Sequence, residues 1–485
     1  MTDKYISDHQ TYSFQKRIVI SIVMLCLTLM LNACSSSYPA LSKDSQLGLK
    51  LESYIGNWQG DIDTEPGQTA PIVLHLTKHQ DGFIASIDSP YQNAYAIPLA
   101  LQEKDINTLR LVNEEHAIVV DITLNPAALN GQLAVSHYEF DVNFSKQTQQ
   151  QFNALISLQD KAQTPKPPFD YQVKELTIIN NDHALAATLT LPHGEGPFPT
   201  VVLLSGSGPD DRDYSAFGHK RFWVMADFLT KQGIAVVRFD ERGVGKSTGD
   251  FANANFNDFI SDVDAIIKQI AGIKQVDGSK LGLIGHSEGA MIAPLAAIKN
   301  NQIDFIVLLA SMANKDVGLA LQYQQIASQY GFEKVAFTQA VQSLEKLALT
   351  GVSASELVDY YLENYQAEMP MNPQQLQQTA AQFTSPVMLD FFSYQPEEQL
   401  SQLSMPVLSM CGELDHYFDC ATHTKALKNI FLKSNNNLVS YQVYPQLNHY
   451  LQTANNGTIA EEASLEETIS PHILSDLSQW ILKQD

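Results

Sequence analysis

The chain is expected to be an α/β protein: a mostly parallel, doubly wound sheet with a helical insertion, preceded by a small antiparallel β domain. Three observations predict this. After about residue 185, short apolar runs such as Thr200 to Leu204, Ile234 to Phe239, Leu281 to Ile284 and Phe305 to Leu309 alternate with helix-forming stretches, the pattern of a parallel sheet. Between Tyr54 and Phe144 the apolar residues instead recur at every second position, as in antiparallel strands. From Ser311 to Leu403 the strands stop, and residues rich in Gln, Ala, Leu and Glu show helical spacing at Leu319, Tyr323, Ile326 and Tyr330 and again at Leu344 and Leu347.

The N-terminal runs are Ile72 to Leu76, Phe83 to Ile87, Ala117 to Ile122 and Leu133 to Phe144, with turn signals at Asp81-Gly82 and Asn130-Gly131. They indicate a small barrel or sandwich over residues 51–160. Gln163-Thr164-Pro165-Lys166-Pro167-Pro168 reads as a semi-rigid linker over 161–170, followed by a larger α/β domain over 171–485 with its helical insertion at about 312–404.

The richest local pattern is Gly285-His286-Ser287-Glu288-Gly289, a G-x-S-x-G between an apolar strand and a helix from Ala290 to about Ile298. Glycines on both sides allow a sharp turn that exposes the serine, a nucleophile elbow. A serine needs a base to accept its proton and an acid to orient that base. The run Pro406 to Met410 leads into Asp415, the candidate acid, with Glu413 as its competitor. The run Leu438 to Val443 leads into His449, the candidate base. His416 and His423 stand too near Asp415 in sequence and are expected on the surface. Two backbone N–H groups would stabilise the oxyanion: that of Glu288, and that of Ser207 or Gly206 in the small-residue loop Ser205 to Pro209 after Thr200 to Leu204. The Glu288 side chain has two readings, a magnet for a substrate amine or a carboxylate favourably placed at a helix N-terminus. Asp210 to Asp213 are expected near the pocket mouth, and Asp240 to Ser247 as a turn held by an Asp-Arg pair.

From about Leu185 to the end, the chain resembles the serine hydrolases of the α/β-hydrolase superfamily, in particular bacterial esterases and serine-aminopeptidase-like proteins. The likeness rests on Leu204 to Asp213, Arg238 to Ser247, the elbow and Asn448-His449. Ala290 departs from it, where many relatives have a second glycine. The resemblance implies an α/β-hydrolase fold with a helical cap, an acyl-enzyme mechanism on a small-molecule acyl ester, and no cofactor or metal. Peptide or thioester cleavage by the same three residues is the alternative within enzymes. The alternative outside them is a non-catalytic envelope protein that binds through its β domain, where Gly56-Asn57-Trp58-Gln59-Gly60 is reminiscent of lipocalin-like barrels.

At the other end, Lys16 and Arg17 precede an apolar run from Ile18 to Leu31, then Leu31-Asn32-Ala33-Cys34. A basic segment, a short apolar stretch and small residues at the cut describe a signal peptide over 1–33. The ending resembles a bacterial lipobox, which implies a lipidated Cys34, a tether over 34–50 and, with Ser35 following, the Gram-negative outer membrane facing the periplasm. With the other thiols gone, Cys411 and Cys420 flank Asp415. They are expected either to form a disulfide in an oxidising compartment or to be two packed thiols. A formal charge of -23 disfavours nucleic-acid binding; the bilayer partner is reached through the acyl anchor. Oligomeric state is left open.

Overall fold

The computed structural model describes Leu41 and residues 46–484, with short breaks between 66 and 159 and between 368 and 372. The expected signal peptide and Cys34 lie outside the described residues. The chain divides into two compact units that meet in sequence at Asp160 and Lys161.

The first unit is a closed barrel in simple up-and-down order: β1 (Gly56–Glu65), β2 (Gln68–His79), β3 (Gly82–Ser89), β4 (Ala94–Glu103), β5 (Thr108–Asn113), β6 (Ile118–Asn125), β7 (Ala128–Val135) and β8 (Tyr138–Gln147). The run Leu133 to Phe144, read above as one strand, is the end of β7 and most of β8, paired antiparallel with Val135 opposite Tyr138. Inward positions alternate as the period requires. Trp58, Leu74, Phe83, Leu99, Leu109, Leu111, Val120, Ile122 and Phe144 meet in one core. Gly60 is needed because a Cβ there would come within 2.5 Å of Val142 Cγ2. The end of the expected tether already carries structure: Leu41 pairs with Phe83, and the helix Gln46–Leu51 delivers Leu51 to the barrel core.

In the second unit an eight-stranded sheet runs β18-β17-β16-β15-β11-β14-β10-β9. Its strands are β9 (Gln172–Asn180), β10 (His183–Leu191), β11 (Phe198–Leu204), β14 (Ala235–Phe239), β15 (Val276–His286), β16 (Phe305–Leu309), β17 (Val407–Gly412) and β18 (Val439–Tyr444); β12 (Ser215–Ala216) and β13 (His219–Lys220) form a separate hairpin. From β14 to β18 neighbours are parallel, while β9 and β10 are antiparallel. Parallel strands covered on both faces read as continuous apolar runs, and β16 and β17 are buried at every position. One face packs the helices Phe256–Ile270, Gly289–Lys299 and Cys420–Ser434; the other packs Arg221–Lys231 and Pro471–Ile481. Asn255 and Asp258 form a reciprocal capping box that starts the first of these.

The segment 161–170 is not a free spacer. Gln163 donates to the Ile469 carbonyl at 2.9 Å and accepts from the N–H groups of Thr468 and Ile469, and Thr164 is buried. Among the described residues the helical insertion has six helices between Lys315 and Leu400. Its apolar stripe packs inside the insertion itself: Leu319, Tyr323 and Ala327 meet Phe337, Leu344 and Tyr361.

Trp58 is the largest side chain in the barrel bore, 1% exposed, and donates from Nε1 to the Tyr54 carbonyl at 2.8 Å. Trp58→Ala should cost about 3–5 kcal/mol of barrel stability, read as an earlier urea transition, with the second unit's transition unmoved.

Candidate active site

Ser287 follows the last residue of β15 and adopts φ 55°, in the left-handed region where a non-glycine residue is strained. Close approach on both sides makes its neighbours glycine: a Cβ on Gly285 would lie 2.1 Å from the Gly289 carbonyl oxygen, and one on Gly289 would lie 2.3 Å from that of Leu204. The Ser287 N–H donates to the Leu309 carbonyl at 3.0 Å. Ala290, the departure noted above, is accommodated with 1% exposure.

Asp415 and His449 come from loops after β17 and β18, at the same carboxyl-terminal edge of the sheet as Ser287. His449 Nδ1 is 2.8 Å from Asp415 Oδ2, and both residues are buried. Because a carboxylate only accepts, Nδ1 carries the proton and Nε2 keeps a lone pair. Asp415 Oδ1 accepts from the N–H groups of Tyr417 and Phe418, each at 2.8 Å, which fixes the carboxylate in its loop. Glu413, the competing acid, is exposed and has no such role. Cys411 and Cys420 are disulfide-bonded, Cα to Cα 5.8 Å, and so bracket Asp415.

The loop after β11 is braced by two buried carboxylates. Glu241 Oε1 accepts from Ser205 Oγ and Glu241 Oε2 from the Asp210 N–H, both at 2.9 Å. Glu288 Oε2 accepts from Ser207 Oγ at 2.9 Å. The Glu288 carboxylate therefore faces the loop and a small internal cavity shared with Ser205, Glu241 and Asp262. Gly206 packs against Ser287: a Cβ on it would lie 3.4 Å from Ser287 Cβ and 2.4 Å from Tyr214 Oη. Burial pushes Glu288 up to about 7 and Glu241 up to about 8.

The charged run after β14 holds its own turn. Asp240 accepts from the Arg212 N–H, Nε and Nη2 and from the Lys246 N–H, all at 2.8–2.9 Å. Gly245 has φ 56°, and a Cβ there would come within 2.6 Å of Asp240 Oδ2.

Two expectations for histidines part company. His416 is exposed, whereas His423 is 2% exposed and its Nδ1 accepts from the N–H groups of Ala313 and Asn314 at 3.0 and 3.2 Å. It ties the helix after Asp415 to the start of the helical insertion. Sequence reasoning also missed the cluster that His286 forms with Tyr214, Arg221 and Tyr450, the first three buried and Tyr450 partly so. Arg221 is 3% exposed and lies 3.7 Å above the Tyr450 ring. The one available signal was His286 itself, the x of G-x-S-x-G.

This sheet order, elbow and Asp-His pair define an α/β hydrolase. Residues 218–455 match the family model described as serine aminopeptidase, S33. Esterase EstD of Thermotoga maritima is 25% identical over 318 residues, which are 65% of this chain and 69% of that protein. An esterase structure from Pyrococcus furiosus is 15% identical with a TM-score of 0.41, covering 65% of this chain and 91% of its own. Est1E from Butyrivibrio proteoclasticus, with ferulic acid bound, is 17% identical with a TM-score of 0.38, covering 64% and 98%. The second unit has the α/β-hydrolase fold and is similar in sequence to a serine-aminopeptidase family model and to an esterase.

The raised Glu288 has a consequence for stability. Its folded-state value of about 7 exceeds the ordinary 4.5, so the folded chain holds the proton more tightly than the unfolded one. The stability this confers is fully present below about pH 4.5 and is lost as pH rises through 7. Glu288→Gln, which keeps an acceptor for Ser207 without the charge, should exceed wild type at pH 9 by up to about 3 kcal/mol. The gain should vanish near pH 5, as measured by urea midpoints at the two pH values.

Proposed function

We propose that the protein hydrolyses carboxylic esters by acyl transfer through Ser287, His449 and Asp415. The observation that carries this reading is the His449 Nδ1 to Asp415 Oδ2 hydrogen bond of 2.8 Å, which leaves Nε2 free to serve as the base for a serine held in a strained elbow. His449 takes the Ser287 proton as Oγ attacks the ester carbonyl, and the tetrahedral oxyanion is held by backbone N–H groups of Glu288 and of Ser207 or Gly206. The protonated His449 gives its proton to the departing alcohol. Water, deprotonated by the same imidazole, then releases the acid from Ser287. The aminopeptidase reading gains no support from Glu288, whose carboxylate already accepts from Ser207.

The protein acts from the cell envelope in this reading, anchored at Cys34 by acyl chains. Support comes from Lys16, Arg17, the apolar run and Leu31-Asn32-Ala33-Cys34, together with a disulfide suited to an oxidising compartment. Cys34→Ala should abolish metabolic labelling with palmitate and release the protein from the membrane fraction. Labelling that persists would refute the anchor.

The activity is tested by initial rates on p-nitrophenyl esters from acetyl to palmitoyl, using the chain from Ser35 onward. Ser287→Ala should lower kcat by at least about 10³-fold, and Asp415→Asn by about 10⁴-fold, with circular dichroism unchanged. Wild-type rates in Ser287→Ala would refute the assignment.

A further inference from the structure

His286 is buried, polar and unused by the reaction proposed above, yet it touches each of the three segments the reaction needs. It precedes Ser287 at the end of β15 and, with a relative exposure of 4%, is closed off from solvent. Its Nε2 lies 2.9 Å from the backbone carbonyl oxygen of His449. A carbonyl can only accept, so Nε2 carries the proton and Nδ1 must be an acceptor. Nδ1 lies 3.0 Å from Tyr214 Oη, which therefore donates. Tyr214 Oη in turn sits against Gly206, so close that no larger residue fits there. One imidazole thus links the elbow, the loop carrying His449 and, through Tyr214, the loop carrying Gly206 and Ser207.

Ring packing fixes the same arrangement in the remaining directions. The His286 ring stacks on Tyr450 with centroids 5.3 Å apart and 19° between planes, and meets the His449 ring edge-on at 4.8 Å. Burial pushes the His286 imidazole well below its ordinary range and the Tyr214 phenol well above its own, so neither changes charge at working pH. His286 can be neither a second base nor a counter-ion.

We infer that His286 is a positioning residue: it holds the His449 backbone at a set distance from Ser287, and with Tyr214 sets the oxyanion loop against both. The inference rests on the ester-hydrolase reading for its kinetic test, but the geometry it invokes can be read without turnover. Misplacing a reacting group by about 1 Å costs on the order of 10²-fold in rate. A residue that only positions the base should therefore move kcat and leave KM alone.

The experiment compares His286→Phe, His286→Gln and Tyr214→Phe with wild type on the p-nitrophenyl ester it hydrolyses fastest, alongside proton NMR of the downfield Nδ1–H of His449. His286→Phe should lower kcat about 10- to 100-fold with KM within about twofold. His286→Gln, whose amide can still donate to the His449 carbonyl, should recover most of that loss, and Tyr214→Phe should show a smaller loss of the same kind. In His286→Phe the downfield proton should broaden by faster exchange with water. Wild-type kcat in His286→Phe, or equal losses in the Phe and Gln variants, would overturn the inference. A wild-type protein inactive on every ester would refute the esterase reading alone; the inference would then be decided by the NMR signal, and an unchanged downfield proton in His286→Phe would overturn it.

Discussion

A single residue in the left-handed region organises the carboxyl-terminal edge of the sheet. With Ser287 at φ 55°, the chain passes from β15 to the helix Gly289–Lys299 through Ser287 and Glu288 alone. His286 reaches toward Tyr214 and Tyr450, and Glu288 back toward the loop after β11. Strain of this kind costs on the order of 1–3 kcal/mol and persists only where the surroundings overdetermine it. Here the surroundings are backbone: Gly285 and Gly289 lie against the Gly289 and Leu204 carbonyls too closely for any side chain. The central strand pair β11 and β15 is thereby locked to the turn it supports.

The loops around that turn are held largely by buried carboxylates. Glu241 and Glu288 hold the loop after β11, Asp240 holds the next turn through Arg212, and Asp262 gathers Asn180, His183 and Arg242. Carboxylates suit the task because each offers two oxygens and can accept several N–H or O–H donors at once, so one side chain can organise a loop that contributes few side chains of its own. Guanidinium partners offset desolvation for Asp240 and Asp262, while burial pushes Glu241 and Glu288 upward. The acidic formal charge of the chain is thus partly internal and structural rather than a surface field.

What could be read from the sequence was what is local. The elbow is written in five consecutive residues, and Asp415 and His449 follow apolar strands closely enough to be found by counting. The antiparallel texture of the barrel was visible in Ile72 to Leu76 and Phe83 to Ile87, whose alternation matches the pleat. β7 and β8 merged in the reading because Ser136-His137 between them carries no glycine or proline, the usual mark of a tight turn. His423 was expected on the surface because it stands so near Asp415 in sequence; its burial is decided by Ala313 and Asn314, more than a hundred residues away. Tyr214, Arg221 and Tyr450 were equally illegible: each sits in an ordinary stretch, and only folding brings them to His286. The segment 161–170 was read by its prolines as a spacer, while Gln163 pairs with Thr468 and Ile469 some 300 residues on.

The barrel deserves its own reading as a solid. Eight strands enclose a bore wide enough for a small ligand in some proteins, but here Trp58, Phe83, Phe144 and a column of leucines occupy it. Pairing of β1 with β8 through Asn57 to Gln59 closes the barrel. Such a body is a pillar rather than a cup, its lumen filled by its own side chains.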